Sequence, residues 1–130
     1  MAENRQYRII VADDDPMMRR LLRVCCERAG SNDVRDFANG KDAWDYVSQL
    51  QYLHLLVTDL DMPIMRGDEL IRVALKRFPK LPVILVSGGS PDALNSAEDI
   101  AKRLEVEFHP KPIVSATALI EKISKYAPKQ

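Results

Sequence analysis

Cysteine is almost missing from this chain: only Cys25 and Cys26 occur, side by side. Adjacent cysteines in one helix do not reach disulfide geometry, and two cysteines without a paired Cys/His spacing make a poor zinc site. The pair is expected to act as small apolar helix residues in a reducing compartment. Net charge is missing too, since nineteen basic residues balance nineteen acidic ones. That leaves no bulk electrostatic pull toward nucleic acid or acidic lipid. No apolar run approaches the roughly 20 residues that cross a bilayer; the longest spans residues 81–86 and contains Pro82. No apolar segment follows Met1–Arg5, so no signal peptide is expected.

What is present suffices for one domain with a real core: 130 residues, 46% of them apolar. Short apolar runs alternate with helical stretches, five times over. Residues 7–12 read as a strand. Asp15-Pro16 then caps and opens a helix, in which Met18, Leu21, Leu22 and Cys25 form one apolar stripe. Gly30 ends it. Residues 34–37 are polar enough for an edge strand. Asn39-Gly40 leads into a helix carrying Ala43, Val47 and Leu50. Residues 53–58 form a third strand, whose near-continuous apolar character fits cover on both faces. Residues 67–78 are helical, 83–87 a fourth strand. Ser90-Pro91 opens a helix through Leu104, 106–109 form a fifth strand, and 113–126 hold the last helix. Five strand–helix alternations imply an α/β domain with a parallel sheet between two helical layers. Ligands of such folds bind beyond the carboxyl ends of the strands.

The residues at those ends are of one chemical kind. Strand one ends in Asp13-Asp14-Asp15, and strand three in Asp59 with Asp61 two residues on. Strand four ends in Ser87-Gly88-Gly89, and strand five runs into Lys111-Pro112. Asp13, Asp14 and Asp59 would crowd three carboxylates around one point, which raises their pKa values. A hard divalent cation relieves that crowding, and carboxylates with a backbone carbonyl suit Mg²⁺. Lys111 adds a cation for a bound anion, and Ser87 a hydroxyl donor. These are the parts needed to accept a phosphoryl group.

With these residues in view, the chain resembles the receiver domains of two-component response regulators. Four segments carry the resemblance: Val11 to Pro16; Thr58 to Pro63 with Met65 and Gly67; Val86-Ser87-Gly88; and Lys111-Pro112. It implies a flavodoxin-like, doubly wound, five-stranded parallel sheet of order 2-1-3-4-5 with five helices, over residues 1–126. Residues 127–130 would be a tail or the start of a linker. It implies Asp59 as phosphoacceptor. It also implies Mg²⁺ held by Asp14, Asp59 and the backbone carbonyl of Asp61, with Asp13 acting through water. Ser87 matches the switch hydroxyl, Lys111 the phosphoryl-binding cation, Gly88 a backbone position near the phosphoryl group and Phe108 the aromatic switch. The implied partners are a sensor histidine kinase or histidine phosphotransfer protein and a downstream protein or attached output domain. A dimer through helix four, strand five and helix five is a further implication. Direct nucleic-acid binding and membrane association are not implied, and the location is cytoplasmic.

The sequence departs from the family pattern in several places. Residues 103–107 lack the usual small-residue turn before strand five, Pro110 stands directly before Lys111, and Ile113 replaces an aromatic. Some readings stay open. The arginines at 19, 20, 23 and 28 give helix one either a solvated face or a kinase-docking one. Phe108 is either a switch or plain core. Asp59-Leu60-Asp61 also resembles the opening motif of haloacid-dehalogenase-type phosphatases, although the chain is short for that family. A phosphorylation-independent, degenerate receiver is the third class. Trp44, His54 and His109 read as structural.

Overall fold

The computed structural model describes residues 6–129; the expectations for residues 1–5 and for Gln130 lie outside them. Five strands alternate with five helices: β1 (Arg8–Ala12), α1 (Pro16–Arg28), β2 (Asp33–Phe37), α2 (Gly40–Val47), β3 (Leu55–Thr58), α3 (Gly67–Arg77), β4 (Val83–Ser87), α4 (Pro91–Leu104), β5 (Glu107–Pro110) and α5 (Ala116–Ser124). The strands pair in parallel in the order β2-β1-β3-β4-β5. The sheet has the expected order, with polar β2 at one edge.

Strand periodicity sorts the core into two layers. In β1, Ile9 and Val11 point to the side covered by α1 and α5, where Leu22, Cys25, Cys26, Leu119 and Ile123 meet them. Ile10 and Ala12 point the other way, toward Ala43, Leu70, Ile71 and Ala97 from α2, α3 and α4. β3 and β4 are buried along their whole length. Each large apolar side chain fully removed from water there contributes about 1.5–3 kcal/mol. The helix starts are fixed locally. Asp15, Asn39, Ser90 and Ser115 accept from the amides of Met17, Asp42, Ala93 and Ala118 respectively. Gly30 follows α1 with φ +107°, a backbone state glycine adopts without a Cβ penalty.

Most boundaries differ from the sequence reading by a residue or more, and three of the differences have a visible reason. β3 starts at Leu55, because the Arg8 amide donates to the His54 ring Nδ1 at 2.9 Å instead of extending the ladder. α5 starts at Ala116, because Ser115 caps it and leaves Ile113 and Val114 in the preceding loop. β5 runs one residue further, to Pro110. Proline is tolerated there because β5 is the other edge strand, and the Lys111 amide resumes the bonding on the Ser87 carbonyl at 2.8 Å. The absent small-residue turn is replaced by Glu105 in the left-handed region, φ +58°. The Val106 amide reaches back to the Ala101 carbonyl at 2.9 Å, the closing bond of a Schellman-type helix end. Among the described residues no helix is long and apolar enough to cross a membrane.

Candidate functional site

β1 and β3 lie side by side with Ala12 opposite Thr58. The residues that follow, Asp13 and Asp59, therefore emerge together at the carboxyl edge, where the strand order reverses. The backbone holds both. The Asp59 amide donates to the Ala12 carbonyl at 2.8 Å, and the Asp13 amide to the Phe37 carbonyl at 3.0 Å. Thr58, fully buried, donates its hydroxyl to the Asp59 carbonyl at 2.8 Å. Gly67 packs so tightly there that a Cβ would overlap that carbonyl, and its amide donates to the Leu60 carbonyl at 2.8 Å. On the other flank, a Cβ on Gly88 would stand 2.7 Å from the Lys111 Cβ. The Lys111-Pro112 peptide is cis.

The charged atoms converge as the sequence implies. One carboxylate oxygen each from Asp13, Asp14 and Asp59 falls within a 4.8 Å span. Lys111 Nζ stands 2.8 Å from Asp13 Oδ2 and 3.4 Å from Asp59 Oδ2. The remaining oxygens are occupied by main chain: Asp13 Oδ1 accepts from the Asp15 amide at 2.9 Å and Asp59 Oδ1 from the Leu60 amide at 2.8 Å. Burial pushes the Asp59 carboxyl up from 3.8 to about 6. Lys111 pulls it down, and Asp13 adds a further upward push. Like-charge crowding, the cause expected from sequence, is therefore real but secondary to desolvation. Burial presses the Lys111 ammonium down, but its contacts with Asp13 and Asp59 hold it above its ordinary range.

The donor set fits a hard divalent cation. It is all oxygen, it combines two buried acids with exposed Asp14, and its net charge with Lys111 counted remains negative. Carboxylates, a main-chain carbonyl and waters are the ligands Mg²⁺ takes.

Asp59, Asp61, Ser87, Gly88 and Lys111 line one open cavity of about 360 Å³, together with Met18, Gly89 and Pro112. Phe108 is not among its walls: it is half-buried against the layer that contains Leu85, Ala97 and Ala101. Three residues have site roles that the sequence reading did not assign. Met18, read as part of the α1 stripe, is a cavity wall. Arg19, read as part of the basic face, donates to the Asp13 carbonyl at 2.9 Å. Arg66 holds the exposed Asp61 carboxylate at 3.1 Å. Only Arg66 had a usable signal, an arginine just before a helix with acids on both sides.

Comparison with known proteins agrees with this geometry. Residues 9–124 match the family described as "Response regulator receiver domain". The chain is 38% identical over 111 residues to the response regulator receiver protein CpdR of Brucella abortus, covering 83% of this chain and 91% of that one. It is 32% identical over 93 residues to a chemotaxis protein CheY homolog of Campylobacter jejuni, covering 68% and 72%. In fold it is similar to a CheY-like receiver domain protein from Methanospirillum hungatei, with a TM-score of 0.79 at 24% identity over 93% of each chain. The match spans the sheet, the acid cluster and the Lys-Pro segment, and the chain belongs to the response regulator receiver domain family.

Proposed function

We propose that Asp59 accepts a phosphoryl group from the phosphohistidine of a sensor kinase or histidine phosphotransfer protein. The convergence of Asp13, Asp14, Asp59 and Lys111 within one small volume carries this reading. Asp59 Oδ2 is the attacking oxygen, since Oδ1 is held by the Leu60 amide. Asp14, Asp59 and the Asp61 carbonyl would hold Mg²⁺ directly and Asp13 through water. The ion supplies charge neutralisation for the transferring group. Lys111, already beside both acids, moves its ammonium to the arriving oxygens, and Ser87 and Gly88 line the same cavity. The chain acts on no substrate but its own carboxylate: it takes up the group and water later removes it.

The phosphoryl dianion favours a state in which Ser87 turns toward it and Phe108 repacks, changing the α4–β5–α5 face that a downstream protein, an output domain or a second copy would read. A shift from 1:99 to 99:1 takes about 5.5 kcal/mol, and two or three charge-assisted hydrogen bonds supply much of that. We place the protein in the cytoplasm with no direct contact to nucleic acid or membrane.

The test is labelling with phosphoramidate and Mg²⁺. Wild type forms a hydroxylamine-labile acyl phosphate, and Asp59→Asn forms none. Labelling that persists in Asp59→Asn moves the acceptor elsewhere. A folded wild type that never labels is instead a phosphorylation-independent binding module, and sustained turnover of a phosphate ester would restore the phosphatase reading. Lys111→Ala still binds Mg²⁺ but loses the conformational response; an unchanged response makes Lys111 structural.

A further inference from the structure

Acidic residues are spread unevenly along this chain. None occurs from Tyr46 to Thr58 or from Leu70 to Pro91. The second stretch carries Arg72, Lys76, Arg77 and Lys80. Of these, only Arg72 has an ion-pair partner among the described residues, Asp68 at 3.4 Å. The fold brings the two acid-free stretches together at the amino end of the sheet, the edge opposite Asp59. There the α2–β3 and α3–β4 connections form an open groove of about 440 Å³. Leu53, Phe78 and Leu81 line it with two prolines, and Arg77 and Lys80 are its only charges.

The walls are already formed. Residues 78–81 make a β-turn closed by the Leu81 amide on the Phe78 carbonyl at 3.0 Å. Pro79 stands at the second position, where its fixed φ suits such a turn. The Pro82 carbonyl then accepts from the Leu56 amide at 3.1 Å, which ties the turn to the sheet. Leu53 and Leu81 are buried, at 9% and 7% exposure. The Arg77 guanidinium lies over the Phe78 ring, 4.9 Å from its centroid, and donates to the Leu50 carbonyl at 2.5 Å. Ring and carbonyl together orient it, and four of its five N–H donors remain. Lys80 is exposed and has no hydrogen bond or ion pair among the described residues.

Small-molecule sites are mostly apolar, with a few converging polar groups, in volumes of about 300–1,000 Å³. Two cations and no acid beside an apolar lining select an anion with an apolar body. We propose that this groove binds a small monocarboxylate, its apolar ring or chain against Leu53 and Leu81 and its carboxylate on Arg77 and Lys80. A planar carboxylate matches the fork of an oriented guanidinium. The site is separate from phosphoryl transfer: the lengths of β3 and β4 lie between it and the acid cluster, and it does not depend on Asp59 accepting a phosphoryl group.

The experiment titrates isotope-labelled protein with phenylbutyrate and follows amide signals by NMR, with phenylbutanol and inorganic phosphate as controls at fixed ionic strength. The amides of Leu53, Phe78, Lys80 and Leu81 should shift together and saturate, with a Kd of about 1 mM or tighter. Phenylbutanol should bind about tenfold more weakly, the loss of a charge-assisted hydrogen bond. Lys80→Glu should weaken phenylbutyrate by a similar factor, and by less at high salt. Arg77→Gln should weaken it too. Far-UV circular dichroism and thermal midpoints check folding; Lys80 makes no internal contact, so Lys80→Glu carries the test if Arg77→Gln does not fold. No shifts at about 10 mM phenylbutyrate, shifts centred elsewhere, equal binding of the alcohol, or an unchanged Kd in Lys80→Glu overturns the proposal. Phosphate that shifts the same amides as strongly overturns it also, by making the groove a general anion site. So does binding of phosphatidylglycerol vesicles without binding of free phenylbutyrate, which would make this edge a lipid-facing surface.

Discussion

The buried Asp59 carboxyl destabilises the metal-free fold, and replacing it should make the protein stronger. Its folded-state pKa of about 6 stands above the ordinary 3.8. Between those values the folded chain holds a proton that the unfolded chain has released, so stability falls as pH rises from 3.8 to 6 and stays low above 6. Each pKa unit corresponds to about 1.36 kcal/mol, which sets the penalty at about 2–3 kcal/mol at pH 8. Asp59→Asn removes the charge, keeps the shape, and retains an oxygen for the Leu60 amide. In EDTA at pH 8 the variant should therefore gain about 2–3 kcal/mol. For a chain of this length, with an unfolding entropy of about 2.1 cal/mol/K per residue, that raises Tm by about 7–11 °C. Below pH 3.8 both states of wild type are protonated and the gain should disappear. Mg²⁺ acts in the opposite sense: it binds the folded wild type and stabilises it by mass action, so the gap between the two proteins should narrow. Urea unfolding at pH 4 and pH 8, with and without Mg²⁺, followed by circular dichroism and Trp44 fluorescence, measures all four corners. A variant no more stable than wild type at pH 8, or equally stabilised at pH 4 and pH 8, refutes the reasoning.

Gly67→Ala should cost about 3 kcal/mol or more, because its Cβ would enter the Asp59 carbonyl; urea midpoints check this, and a neutral result would mean the β3–α3 loop yields freely. Glu105→Gly should gain roughly 0.5–1 kcal/mol by relieving the left-handed cap at φ +58°, read as a higher thermal midpoint, and a loss would show that Glu105 is held by more than its backbone. His109 is buried beside Lys122 at 2.9 Å, with Glu107 nearby on β5. Burial first and the Lys122 ammonium second keep its pKa below 6.5, against a smaller upward pull from Glu107. Below pH 6.5 the unfolded chain takes up that proton first, so this stability is present above 6.5 and lost below it; relative to wild type, His109→Gln should lower the urea midpoint at pH 7.5 more than at pH 5, and an equal change at both would refute the assignment.

The site was legible because its parts end apolar runs that have only one plausible reading. β1, β3 and β4 are buried on both faces, so their composition marks where each stops, and Asp13, Asp59 and Ser87 stand at those stops. What the sequence hid is set by contacts between distant segments. Lys111 and Asp13 are 98 residues apart and touch at 2.8 Å. Nothing local announces that the resting partner of Lys111 is Asp13 more closely than Asp59. The start of β3 was hidden because it depends on a side chain, the His54 ring, taking an amide that strand periodicity assigns to backbone. Ile113 and Val114 pass for the first residues of an apolar stripe, and only the Ser115 cap excludes them from α5. Ile64 and Glu105 were invisible for a related reason: their positive φ values belong to residues whose type argues against them.

Three constraints cluster at the site itself. The penalised carboxyl, the overlap that only glycine avoids at 67 and the strained turn at Ile64 all lie at the carboxyl edge of the sheet, within or just after the β3–α3 connection. The layers behind that edge are built on buried apolar clusters, and four of the five helices start on a side-chain cap. Strain at one end persists only where the surrounding structure over-determines it, and here Ala12, Thr58 and Gly67 fix the Asp59 backbone from three directions. A carboxylate locked in position but uncomfortable in its charge is poised for neutralisation by a cation or by esterification with phosphorus. Under the proposed phosphoryl transfer, the energy released on relieving that discomfort would go to Lys111 and the β4–α4 loop, because the backbone of Asp59 itself is fixed.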